Sequence, residues 1–240
     1  MRWLLLVALV VAFAGCGGDD DRASGGDSQQ LVVSAAASLT AALTECSGDN
    51  VKLSFGGSDE LAAQIRQGVK PDVYAAANTK LPDQLHSEDL VEKPVSFATN
   101  ELIIAVPDDS DIDSVDDLAK PGVKLVIGSE SVPVGSYTRD VLSKLPADQE
   151  KAILANVKSE EPDVKGVVGK LTQGAADAGF VYRTDLVDGL EAVTLPHDLQ
   201  PVVEYGAAVV KPSDGARGYL DGLTDGPCAD ALQTAGFGKP

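Results

Sequence analysis

The stretch ELIIAVPDDS, residues 101–110, is an unbroken apolar strand closed by a Pro/Asp turn. A second segment of the same build, VEYGAAVVKPSD, occupies residues 203–214. An apolar run without alternation marks a strand covered on both faces. A Pro/Asp turn behind such a strand is a natural point for the chain to pass into another lobe. Two crossings of this kind divide the chain into residues 31–105 plus 205–240 as lobe 1 and residues 106–204 as lobe 2. A single continuous sheet is the other arrangement that these two strands allow.

Outward from them, the short β-type runs LVVSAA, VKLSF, DVYAAA, VKLVIG and AGFVY alternate with helical patterns. The patterned helices cover residues 39–45, 59–67, 80–85, 115–118, 135–144, 149–154 and 164–173. Alternation of this sort predicts an α/β architecture with mostly parallel sheets. In such sheets a ligand sits beyond the carboxyl ends of the strands, where helix N-termini point.

The N-terminal residues carry an address. Arg2 precedes the apolar run LLLVALVVAFA, too short to span a bilayer comfortably, and small residues then lead to Cys16. Residues 1–15 read as a signal peptide, and AGC resembles the lipobox of bacterial lipoproteins, in which the cysteine is lipid-modified; an ordinary signal peptide without lipid is the alternative. Residues 16–30, rich in Gly, Ser and Asp, then form a flexible tether. The expected location is extracytoplasmic, on the outer face of the cytoplasmic membrane, held there through the lipid alone. Setting Cys16 aside leaves Cys46 and Cys228, an even number in an oxidising compartment, and a disulfide between them is expected. Two separate buried thiols are the alternative. The formal net charge of −18 argues against nucleic acid and anionic membrane surfaces as partners. The acidic residues are scattered without ligand spacing, so they read as a solvated surface and not as a metal site.

Four corners at the starts of helices stand out. AAASLT places Ser38 ahead of a helix, and GGSDELAAQI does the same for Ser58 behind two glycines. In VPVGSY, Pro133 and Gly135 shape a turn that leaves the Val134 N–H free, and in EEPDVKG a helix begins at Pro162 and presents the Val164 N–H. The first N–H groups of a helix lack internal partners, and that end is partly positive. Each corner is therefore either a capped helix start or a seat for an anion. Four in one α/β chain can surround a small anion with neutral donors alone.

The order and spacing of AAASLT, GGSDELAAQI, PDVYAAAN, VPVGSY and GAADAGFVYRTD resemble the periplasmic molybdate-binding proteins of ABC uptake systems. The resemblance implies a two-lobed type II periplasmic-binding-protein fold with the ligand in the cleft between the lobes. It implies hydroxyls and amides of Ser38 and Ser58 from the first lobe. From the second come the amides of Val134 and Val164 and the hydroxyl of Tyr182. The small residues at 35–37 leave room for the backbone to approach the ligand, and Thr40 reads as a cap-region residue. The family usually carries Ala where this chain has Val134, and Asn where it has Asp163. An Asp beside an anion must turn its side chain aside to cap the helix.

The function implied is a lipid-anchored receptor for molybdate or tungstate that delivers the oxyanion to an ABC transporter permease, acting as a monomer. No cofactor is expected, and the metal is held only as its oxyanion, without protein–metal ligands. A receptor for sulfate or another tetrahedral oxyanion is the alternative within the binding class. A hydrolase using Ser38 or Ser58 would need a positioned base. The chain offers only His86 and His197, both in polar, loop-like contexts, and no G-x-S-x-G elbow, so no enzyme is expected.

Overall fold

The computed structural model describes residues 30–240. The expected signal peptide, Cys16 and all but the last residue of the expected tether lie outside the described residues.

The chain builds two five-stranded sheets with helices against them. The first sheet contains β1 (Leu31–Ala36), β2 (Val51–Gly56), β3 (Val73–Ala76), β4 (Val95–Asn100) and β10 (Val203–Val209), in the order β2-β1-β3-β10-β4. The second contains β5 (Leu102–Pro107), β6 (Leu125–Gly128), β7 (Val157–Glu161), β8 (Ala178–Tyr182) and β9 (Leu190–Thr194), in the order β7-β6-β8-β5-β9. Helices α1 (Thr40–Cys46), α2 (Ser58–Arg66) and α3 (Lys80–Ser87) belong with the first sheet, together with α7 (Asp214–Thr224) and α8 (Pro227–Thr234). Helices α4 (Pro133–Leu142), α5 (Ala147–Ala155) and α6 (Val164–Thr172) belong with the second. Among the described residues no helix is long and apolar enough to cross a membrane.

The central strands are apolar on both faces, as their sequences require: β3 and β8 are buried at every position. The sheets are mixed, not mostly parallel. β1 runs parallel to β2 and β3, and β6 parallel to β7 and β8, whereas β5 and β10 have antiparallel neighbours on both sides. The reason is connectivity. β5 and β10 are the strands that carry the chain from one sheet to the other, and each runs against both of its neighbours.

The change of sheet lies earlier than the Pro/Asp turn suggests. β4 ends in the first sheet at Asn100 and β5 begins in the second at Leu102, so the strand expected to divide at 105/106 pairs wholly within the second sheet. Dividing it would leave main-chain donors and acceptors without partners. The Pro107–Asp108 turn lies at the far end of that strand. The return falls between Thr194 and Val203.

Register decides where the corners meet. β1 and β2 pair from Leu31 opposite Val51 to Ala36 opposite Gly56, so the turns that follow them emerge side by side. In the second sheet Gly128 lies opposite Glu161, which sets the turns leading to α4 and α6 next to each other. Cys46, at the end of α1, is bonded to Cys228, at the start of α8, across a sequence separation of 182. The bond stays among the helices of the first sheet.

Candidate functional site

The four corners face one another across the gap between the two sheets and line one small, partly open cavity. Ala36, Ala37, Ser38, Gly56, Gly57, Ser58 and Ala77 line it from the first lobe, and Val132, Pro133, Val134, Asp163, Val164 and Tyr182 from the second. All five residues singled out from the sequence therefore meet at one place.

Local chemistry explains each position. Ser38 lies in a short 3₁₀ turn, Ala37–Leu39, that has no side-chain cap, and it is buried. Its hydroxyl lies 2.9 Å from the Tyr205 hydroxyl. Ser58 is the first residue of α2, whose N-cap is Gly57, again without a side-chain cap. Capping therefore accounts for neither serine. The Ser58 Oγ accepts the N–H of Ala77 at 3.1 Å, and its main-chain carbonyl accepts the Tyr74 hydroxyl at 2.6 Å. With its oxygen occupied as acceptor, the Ser58 hydroxyl has its proton left to donate. Thr40 turns inward and donates to the Ala37 carbonyl at 2.7 Å, and it does not line the cavity.

On the other wall, Pro133 occupies the first turn of α4, where its missing N–H costs nothing. The following helix presses so closely on the end of β6 that a Cβ at Gly135 would stand 1.9 Å from the Ser129 carbonyl oxygen. Only glycine permits that approach, which aims the start of α4 at the cavity. Asp163 lines the cavity, yet its carboxylate accepts the Gly166 N–H at 2.9 Å as the side-chain cap of α6. The side chain is thus engaged in capping the helix. The Lys165 ammonium is drawn to the buried Asp185 at 2.8 Å and does not line the cavity.

Tyr182 ends β8 fully buried, and its hydroxyl has no hydrogen-bond partner among the described residues. Burial pushes its phenol well above the ordinary value, so the group stays a neutral donor. An unpaired buried hydroxyl costs about 1–3 kcal/mol, which a structure retains where a ligand supplies the missing acceptor.

The lobes also touch at the rim of the cavity. Ser131 Oγ, ahead of α4, donates to the Asp59 carboxylate on α2. A Cβ at Gly57 would stand 2.4 Å from the Pro162 carbonyl oxygen of the opposite lobe. Sequence reasoning did not find Ala77, Asp59, Ser131, Asn100 or Tyr205, because their contacts run across the sheet or between lobes. The wall thus carries neutral donors and small apolar residues, one carboxylate, Asp163, that is engaged in capping α6, and no positive side chain. Neither histidine lines the cavity, and His86 bonds the Val91 carbonyl at 3.0 Å. Among the described residues no group of three or more His, Cys, Asp or Glu is placed to hold a metal ion.

Comparison with known proteins places the chain in a family. The family model for bacterial extracellular solute-binding proteins matches residues 23–238. The molybdate-binding protein ModA of Mycobacterium tuberculosis is 34% identical, with all of both chains covered. That of Escherichia coli is 30% identical over 88% of this chain and 90% of its own. Among solved structures, the periplasmic molybdate-binding protein of Azotobacter vinelandii superposes with a TM-score of 0.75 at 20% identity, covering 88% of this chain and 99% of that one.

Proposed function

Because this chain belongs to the bacterial extracellular solute-binding proteins, a family of binding proteins and not of enzymes, we propose that it captures molybdate, or the near-isosteric tungstate, and hands it to the permease of an ABC importer. The observation that carries this reading is the fully buried Tyr182 hydroxyl, unpaired and lining a cavity that donors from both lobes surround. Ser38, Ser58, Tyr182 and the main-chain N–H groups of Val134 and Val164 replace the hydration shell of the dianion. Burying such a charge without those partners would be prohibitive. Four helix or turn starts oriented toward it supply the positive potential, so no counter-cation is needed. Salt screens the overall negative charge over roughly 8 Å at physiological ionic strength. Sulfate, a smaller tetrahedron, leaves some donors unsatisfied, and each of those lowers its affinity. Binding donors from both lobes favours a closed cleft. In this reading the protein works as a monomer, tethered outside the cell through lipidated Cys16.

A thermal-denaturation panel with molybdate, tungstate, sulfate and phosphate tests the reading. A ligand at ~100 times its Kd stabilises the fold by roughly 2.7 kcal/mol, which for a domain of this size raises Tm by roughly 5–10 °C. Molybdate and tungstate should each give that shift. A shift with sulfate or phosphate and none with molybdate would overturn the assignment.

Asp163 offers a finer check. Asn caps a helix as well as Asp does, so Asp163→Asn keeps the start of α6 while removing a negative charge from the cavity wall. Relief of about 1 kcal/mol of repulsion in a partly solvated cleft should raise molybdate affinity about 3- to 10-fold. Unchanged binding by calorimetry would show that the capping carboxylate is not felt by the anion, and weaker binding that its cap on α6 matters more than its charge.

A further inference from the structure

A serine hydroxyl is both donor and acceptor, and only its donor side serves an anion. For Ser38 the hydrogen-bond network decides which side is presented. The Oδ1 of Asn100 accepts the main-chain N–H of Glu101 at 2.8 Å, and because that N–H can only donate, the orientation of the amide is fixed. The Nδ2 of Asn100 therefore faces two hydroxyls, Thr184 Oγ1 at 2.8 Å and Tyr205 at 3.4 Å. An amide nitrogen only donates, so the Tyr205 oxygen is an acceptor toward Asn100. Among the described residues Ser38 Oγ, 2.9 Å away, is the one other partner of that hydroxyl, so it is the acceptor available to the phenol proton. Burial pushes the Tyr205 phenol well above the ordinary value, so that proton is retained. Ser38 then accepts from Tyr205, has no other hydrogen-bonded partner of its own, and lines the cavity.

We propose that Tyr205, oriented by Asn100, is a positioning residue that makes Ser38 a donor-only group toward the bound oxyanion and so favours tetrahedral anions that carry no proton. The inference rests on the oxyanion reading above and deepens it. The chain of donors starts where the lobes join, since Asn100 ends β4 and Thr184 follows β8 in the other lobe. Without the Tyr205 hydroxyl, Ser38 is free to rotate and to offer its lone pairs. A fully deprotonated anion then loses a donor, while a hydrogen-bearing one such as hydrogen phosphate gains an acceptor.

The test is a double-mutant cycle on the full mature chain, with molybdate affinity measured by calorimetry. Tyr205→Phe keeps the ring, which packs edge-on against Phe97, Tyr182 and Phe237 with centroids 6.1, 5.9 and 5.4 Å away. It should weaken molybdate about tenfold, the scale of one lost hydrogen bond. In the Ser38→Ala background the same change should cost nothing further, and the ratio of molybdate to hydrogen phosphate affinity should narrow only where Ser38 is present. Asn100→Ala is the second variant. By freeing the Tyr205 hydroxyl to turn, it should weaken molybdate about threefold with Ser38 and not without it. Equal losses with and without Ser38, or wild-type affinity in both single variants, would overturn the inference alone. A wild-type protein that binds none of the oxyanions would remove the oxyanion reading and this inference with it.

Discussion

Gly57→Ala should weaken molybdate binding by about 10- to 100-fold while the melting temperature of the ligand-free protein stays level or rises slightly. The added methyl would stand 2.4 Å from the Pro162 carbonyl oxygen, a main-chain atom of the opposite lobe that has no rotamer to yield. Overpacking of this kind costs typically 1–3 kcal/mol, and here the cost is paid only when the lobes come together. Within its own lobe the substitution is benign. Gly57 has φ −62° and ψ 132°, which any residue adopts, and the other close atom is the far end of the Asp59 side chain. Loss of glycine's freedom in the unfolded chain can even stabilise by about 0.4–1 kcal/mol. Calorimetric titration beside a ligand-free melt separates the two effects. Wild-type affinity in the variant would show that the anion binds without the Gly57–Pro162 approach.

The second large effect concerns the disulfide. Replacing Cys46 and Cys228 by Ala should destabilise the fold by about 5 kcal/mol, because the bond closes a very long loop in the unfolded chain. For a domain of this size that lowers Tm by roughly 10–20 °C. Molybdate affinity at low temperature should be unchanged, since the bond joins α1 to α8 and neither cysteine lines the cavity. Melting the wild type with and without reductant gives the same comparison without mutagenesis. A fall of less than a few degrees would mean that the reduced chain keeps α8 packed on α1 unaided.

What the sequence made legible follows a physical division. Strands buried on both faces, such as VYAA and AGFVY, announce themselves by unbroken apolar runs. The three strands that sequence reading missed, β4, β7 and β9, are all edges of their sheets. An edge strand needs only one covered side, and VKSEE in β7 carries charges that discourage pairing with another chain. Helix α7 was missed because DGARGYLDGLT carries three glycines, and α8 because PCADALQT is only eight residues long behind a Gly-Pro pair. The Ser213 cap and Pro227 in the first turn set their starts, and packing completes them. At the site, the corners were visible as short motifs because each is local. Partners such as Tyr205, 167 residues from Ser38, were not, since a tyrosine in a buried strand gives no hint of whose hydroxyl it meets.

The passage from β4 to β5 has a consequence for energetics. Only Glu101 separates the last residue of one sheet from the first of the other, and its N–H and carbonyl are both hydrogen-bonded, to Asn100 and Arg183. A joint of that length offers few soft torsions, so at this crossing there is little chain freedom for the proposed closure to remove. In the proposed binding mode this crossing contributes almost no ordering cost, which leaves more of the attraction between donors and anion to appear as affinity.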